Sequence, residues 1–517
     1  MTNKLIQPTR RSVLQGGAAL GALGLSGLPS LAQAPKRGGA VRVALAEGST
    51  QDSLNPWTYT DIYMMSVSFA THSTLTEIAP SGELVGDAAE SWEGSNGAQT
   101  WTFKLRKEVS FSDGRPLTAD DVIASLKHHA GEESGSGMRT TADTIKGFRK
   151  DGDFTVIFDL VGPNADFPFL MADYHFILMP AENGKANWKD FIGTGGYIME
   201  SHEAGLRTKL KRRDDYWKPD RAWFDEIEIL YVPDVSARQN GLQTGDVDIM
   251  SRVDLKTVGL LERVPSIKVE EATGFLHYTF PMNTQLNPYD DNELRLALKH
   301  GIDREALVKT ILNGRGIVGN DHPIAPSVPY HNAELEQRIY DPDRAKFHLK
   351  RAGLGSIDLS CAAADAAYSG ALDATVLYRE HLAPTGIDLT VSRKPNDGYW
   401  SDVWMKDPFC ACYWGGRPTC DWMFSSAYAS GADWNDTFWE HERFNKLLLE
   451  ARGELDSSLR SEMYGEMQQI VRDEGGAVVW AFANYVYAMN QNVVHGPEVA
   501  SNWEMDGARW AERWGLA

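Results

Sequence analysis

The chain has 517 residues, of which 51 are Lys or Arg and 71 are Asp or Glu, giving a formal net charge of −20. At 42% hydrophobic and 24% charged residues the composition is globular, which argues against a disordered or collagen-like chain. The length predicts roughly three folding units able to bury a core without metal or disulfide staples. The negative balance argues against nucleic acid and anionic membrane surfaces, which need clustered Lys and Arg, but a small ligand senses local charge instead.

Residues 1–34 read as an export signal. Lys4, Arg10 and Arg11 form a basic start, 14–28 is weakly apolar and rich in Gly, and Ala32-Gln33-Ala34 is a small-x-small cleavage site. Thr9-Arg10-Arg11-Ser12-Val13-Leu14 resembles the twin-arginine signal. Cleavage near Ala34 removes three positive charges, so the mature chain carries −20 − 3 = −23. No Cys lies at the cleavage point, and no stretch reaches the roughly 18 apolar residues of a membrane span, so a soluble periplasmic protein is expected. Folding before export favours buried free thiols for Cys361, Cys410, Cys412 and Cys420, with a 361–410 or 361–412 bridge left open. Neither a paired C-x-x-C nor a His at ligand spacing accompanies them, so no metal site is expected.

Along the mature chain, alternation at 41–45 predicts a strand, and 48–60 a loop with exposed aromatics. Asn96-Gly97 sets a hairpin turn with Trp101, Phe103 and Leu105 alternating behind it. Thr118 with Asp121 three residues on predicts a capped helix to about His129, and 131–137 is a Gly/Ser-rich loop. Strands follow at 155–160, in a meander from Tyr197 to the Asp215-Tyr216-Trp217 end, and at 226–232. A helix at 237–242 leads through Gly245 to a short strand ending at Ile249, and 276–283 is another strand. A helix pair spans 293–312 around Ile302-Asp303-Arg304, and 343–352 is helical. Strands at 357–362 and 387–391 flank a helix at 375–382 as a βαβ unit; a strand at 409–413, helices at 444–451 and 457–473 and a strand at 478–483 complete the pattern.

Catalytic signatures do not appear. The G-x-S-x-G elbow, the G-x-x-x-x-G-K-[ST] loop and H-E-x-x-H are missing, and His202-Glu203 runs on into Ala204. Gly193-Thr194-Gly195-Gly196 precedes no helical pattern, against a dinucleotide fingerprint. His128 and His129 sit near a helix end and read as solvated or dipole-compensating. The Asp pairs at 120/121, 214/215 and 290/291 have turn or capping explanations. No enzymatic activity and no cofactor are expected.

Four segments occur in a telling order: FSDGRPLTADDV (111–122), GTGGY (193–197) with Asp215-Tyr216-Trp217, ARQNGLQTGDVDI (237–249), and Asn283-Thr284 followed by LRLALKHGIDREALV (294–308). The set resembles the family 5 solute-binding proteins, the dipeptide-, oligopeptide-, opine- and nickel-binding class of ABC importers. The resemblance implies an α/β, two-lobed periplasmic binding protein of type II with an extra small subdomain inserted in lobe one. Two crossing strands would join the lobes, and a hinge motion would close them on the ligand. It assigns 35–70, 193–282 and 484–517 to lobe one, 71–192 to the inserted subdomain and 283–483 to lobe two. The implied partners are a membrane permease and an ATPase subunit, and the binding subunit is expected to be a monomer.

In dipeptide and oligopeptide binders of this family, the loop after a lobe-two strand presents an Asp to the peptide ammonium. Here that loop reads Cys412-Tyr413-Trp414-Gly415-Gly416, the next residue is Arg417, and the nearest acid is Asp421. Arg417 offers a planar fork for carboxylate or phosphate, while Asp421 takes the ammonium or caps the next helix. A second family loop supplies an Arg for the peptide carboxylate and a nearby Tyr. Its counterpart carries Asp365, Ala366 and Tyr368, so either the polarity is inverted, with Asp365 taking an ammonium and Arg417 an acid, or the ligand is not a peptide. Six of the 16 Trp fall between 400 and 439, at Trp400, Trp404, Trp414, Trp422, Trp434 and Trp439, which resembles a pocket wall. Trp400 and Trp414 lead that wall, with Trp57 and Tyr59 opposite. The expected function is import of a small peptide or opine-like zwitterionic or anionic solute. The alternatives are a sugar-derived or metal-chelate ligand, a periplasmic peptide hydrolase, or a chemoreceptor partner.

Overall fold

The computed structural model describes residues 35–395, 399–432 and 434–517. The export-signal reading at 1–34 lies outside the described residues. A nine-stranded mixed sheet runs through the molecule. Ala40–Leu45 sits inside it, parallel to both Glu226–Tyr231 and Ile249–Met250. Central parallel strands are usually covered on both faces by packed layers, and Val41 and Val43 to Leu45 are correspondingly buried. The predicted meander, Tyr197–Glu203 and Arg207–Arg212, extends one edge.

On the other side come two long antiparallel strands, Ile267–Pro281 and Ala477–Asn490. One end of this pair bonds to Ile249–Met250, and the other end to Cys412–Trp414 and Gly316–Val318. We call these ends lobe one and lobe two. Between them the register breaks: Thr273 faces Asn484 and the next pair is His277 with Phe482, so three residues oppose one. Such an irregularity bends and twists a ribbon locally. Only a glycine fits there, because a Cβ on Gly274 would lie 2.1 Å from the Tyr485 ring. The two crossing strands implied by the resemblance are present, with a structural joint at 273–277. Both are about twice the predicted length, since sequence alternation marked only the halves that run through lobe two.

A four-stranded antiparallel sheet of Ala89–Ser95, Thr100–Leu105, Thr155–Leu160 and Ile145–Lys150 stands apart, with its own core around Phe103, Phe158 and Phe167. The capped helix Ala119–His128 lies beside it, and Thr118 N and Oγ1 both donate to Asp121 Oδ2, at 2.8 and 2.7 Å. In lobe two, Ile357–Ala363 and Ile387–Arg393 pair in parallel around the helix Ala371–Leu382, the expected βαβ unit. The helix Ile62–Thr71 escaped the sequence reading. Every residue in it is buried, so it shows no polar stripe from which a helical period could be read.

Two sets of buried charges hold these parts together. Lys218 Nζ lies 2.8, 2.9 and 3.1 Å from Glu512, Asp87 and Glu77. Arg513 bridges Glu77 and Asp506, both at 2.7 Å, and Arg509 adds Asp87 at 3.3 Å. Across the lobes, Arg460 meets Asp166 at 2.6 Å with both side chains buried, and Ala165 N donates to Arg452 O at 2.7 Å. Trp422 of lobe two packs against the core of the four-stranded sheet. The unit of the four-stranded sheet therefore rests against lobe two. All four cysteines are buried and unpaired.

Candidate functional site

The short strand Cys412–Trp414 ends at Gly415 and Gly416 on the face of lobe two. Gly416 has φ +73° and runs against the crossing strand, where a Cβ would lie 2.2 Å from Phe275 Cβ. This tight turn delivers Arg417, and two residues later Thr419 caps the helix Cys420–Ala427 by accepting from Trp422 N at 3.2 Å. Arg417 Nη1 donates to Gly416 O at 2.6 Å, and its guanidinium lies 5.7 Å from the Trp422 ring centroid. Among the described residues no carboxylate lies within ion-pair distance of Arg417. Burial pulls its pKa down, partly offset by Tyr174 and Asp173 across the cleft. Asp173 is itself engaged, its Oδ1 meeting His175 Nδ1 at 2.7 Å.

Beside this turn the tryptophans form one surface. Ring centroids are 5.4 Å apart for Trp400 and Tyr413, 5.9 Å for Trp400 and Trp404, 6.2 Å for Trp404 and Trp414, and 6.3 Å for Trp414 and Trp434. Behind them is Asp436, a buried carboxylate that accepts from Trp404 Nε1 at 3.1 Å and Trp414 Nε1 at 3.2 Å. Burial pushes its pKa up to about 6, against the pull of its indole and Cys412 donors. Burial pushes the Tyr413 hydroxyl's pKa up, with Glu47 of lobe one adding to it and Arg252 opposing. Burial likewise raises that of Tyr174, with Asp173, Asp61 and Glu47 adding and Arg417 opposing.

The structure thus brings together Trp400, Trp414, Gly415, Gly416 and Arg417. Trp57 belongs to lobe one, where Nε1 donates to His128 O at 2.7 Å and the ring stacks on His128 at 4.7 Å. Tyr59 lies in the core of lobe one with no exposed surface, its hydroxyl donating to Leu54 O, so the expected exposed loop aromatic is a packing residue. Tyr368 stacks on Tyr278 at 4.0 Å inside lobe two. Asp365 is exposed, and its Oδ1 accepts from Leu372 N at 3.4 Å near the start of a helix. Asp421 is paired with Arg452 at 3.0 Å, although burial still holds its pKa up to about 6. His129, read as solvated, is buried and bonded to Ser136 Oγ at 2.7 Å. Asp436, Tyr413 and Tyr174, which lie beside this group, were not singled out in the sequence. The tryptophan density pointed at the wall, but no sequence signal marks which acid stands behind it.

Three comparisons bear on this arrangement. The chain is 26% identical over 457 residues to the dipeptide-binding protein of Escherichia coli (strain K12), covering 80% of this chain and 83% of that one. The periplasmic binding protein DppA of Helicobacter pylori, solved with the peptide STSA, superposes with a TM-score of 0.73 at 22% identity, over 92% of this chain and 98% of that one. The binding protein AgaA from A. tumefaciens R10, solved with agropinic acid, also gives 0.73, at 21% identity over 93% and 99% of the two chains. The profile described as "Bacterial extracellular solute-binding proteins, family 5 Middle" matches residues 83–436, more than half of the chain. With its two lobes, crossing strands and facing cleft, the chain belongs to the family 5 bacterial extracellular solute-binding proteins.

Proposed function

We propose that this protein is the periplasmic ligand-binding component of an ABC importer and closes its lobes on a small anionic or zwitterionic solute of the short-peptide or opine class. Arg417 carries the proposal. Arg417 is a half-buried guanidinium with no carboxylate partner among the described residues, and a ligand carboxylate would complete it through two charge-assisted hydrogen bonds. The relatives named for dipeptide and the neighbour solved with agropinic acid support that ligand class. They also favour transport over peptide hydrolysis. The same reading takes 35–70, 193–282 and 484–517 as lobe one, 71–192 as an inserted subdomain and 283–483 as lobe two. It has a monomer handing its ligand to a permease driven by an ATPase, after twin-arginine export and cleavage near Ala34.

The mature protein, purified gently from exporting cells and weighed by native mass spectrometry, should carry a bound acid of low mass. Calorimetry with that acid should show Arg417→Ala weakening binding by roughly 10- to 100-fold with an unchanged melting temperature. Equal affinity in that variant removes the anchor. Hydrolysis of a bound peptide by the purified protein would instead establish the enzymatic alternative.

A further inference from the structure

We infer that the aromatic wall of lobe two is a subsite for an organic cation carried by the same ligand whose acid meets Arg417. The inference rests on the reading above and adds the ligand's second charge and its orientation.

The wall offers ring faces. Trp400, Tyr413 and Trp434 are 40%, 42% and 50% exposed, unusual for such large side chains grouped together. Successive rings turn by 74°, 79°, 70° and 53°, so the surface is folded into corners instead of lying flat. A cation in such a corner meets more than one π system, and Trp gives the strongest such contact. The wall is also held rigid. Asp436 fixes Trp404 and Trp414 through their indole N–H groups, so the rings are oriented before a ligand arrives.

The local charge has the matching sign. Among the described residues, no Lys, Arg or His lies within ion-pair distance of Asp436, Asp52 or Asp61. Glu47 and Glu504 both pair with Arg252, at 2.6 and 2.8 Å, and Arg238 also acts on Glu504, so this lobe-one cluster is largely self-compensated. Arg417, in contrast, faces Tyr174 and the occupied Asp173. The carboxylate of Asp436 therefore stands behind the rings and the guanidinium of Arg417 at the turn. A zwitterion would lie with its cation against Tyr413 and Trp400 and its acid at Arg417.

Two isosteric probes test this: γ-butyrobetaine, and its tert-butyl analogue 5,5-dimethylhexanoate, in which an uncharged carbon replaces the ammonium nitrogen. Both offer one carboxylate to Arg417, and only the first is cationic. Tryptophan fluorescence and calorimetry should find the betaine binding on the order of tenfold tighter. Trp400→Ala should erase that preference and leave the analogue's affinity unchanged. Tyr413→Leu serves as the second variant, with circular dichroism confirming the fold of each. An analogue that binds as tightly as the betaine, or no binding of either at their solubility limits, overturns the cation site. Arg417→Ala separates the two proposals: loss of both probes together supports the anchor, while a betaine preference that survives unchanged affinity in this variant keeps the cation site and removes the anchor.

Discussion

Lys218 has three carboxylates within 3.1 Å, whereas among the described residues Arg417 has none and Asp436 is held by indoles with no cation in ion-pair distance. Lys218 and Asp436 are buried and Arg417 is half-buried, so each bears some desolvation penalty. In the Lys218 cluster the penalty is offset inside the protein, by Glu77, Asp87 and Glu512 packed among Arg509 and Arg513. At the cleft it is left open. Buried charge in this protein therefore has two uses, closing the fold where it is paired and receiving a ligand where it is not.

The largest effect should come from breaking the closed set. Arg513→Ala leaves Glu77 and Asp506 short of a partner and should cost about 3–5 kcal/mol in denaturant unfolding. A loss near zero would dissolve the contrast.

Next is Asp436. Its folded pKa of about 6 stands above the ordinary 3.8, so the fold binds this proton more tightly than the unfolded chain does. Stability should fall as pH rises from about 4 through 6, by about 3 kcal/mol at this site, and level off above. Asp421, also near 6, contributes a slope of the same sign, so Asp436→Asn should flatten only part of the profile. An unaltered profile in that variant would show the carboxylate to be better compensated than its surroundings indicate.

Asp166→Ala removes the buried pair with Arg460 across the lobes. Ligand should then leave faster, with affinity down roughly tenfold, because the closed state alone loses the contact. An unchanged dissociation rate would mean that this pair survives opening. The smallest effect sharpens the contrast most: Arg417→Ala, despite removing a charge, should shift ligand-free stability by no more than about 0.5 kcal/mol.

Much of the fold was legible because its elements carry local signals. The Thr118–Asp121 capping box, the Asn96-Gly97 turn and the βαβ alternation at 357–391 each rest on a few neighbouring residues. The helix Ile62–Thr71 and the lobe-one halves of the crossing strands were not, since their character is set by what surrounds them. Residues 484–490 read as unremarkable until Met489 and Ala488 are seen pairing with Ile249 and Met250. Trp400, Trp414 and Arg417 were singled out by the tryptophan density and the departure from an acidic loop, and they lie near one another on lobe two. Asp436 was not, because the wall it supports is assembled from Trp404 and Trp414, which are 32 and 22 positions away. Tyr59 and Tyr368 show the converse, since an aromatic beside a cleft loop gives no sign of which way its ring turns.

The route of the chain has a consequence for its synthesis. Ala40–Leu45 emerges early but pairs with 226–231 and 249–250, and the latter strand waits for Met489 and Ala488. The acids Glu77 and Asp87, fixed near the start, are neutralised in part by Arg509 and Arg513 near the end. A nascent chain therefore leaves Glu77 and Asp87 short of these partners, and Ile249–Met250 without one neighbouring strand, until residues 488–513 have been made.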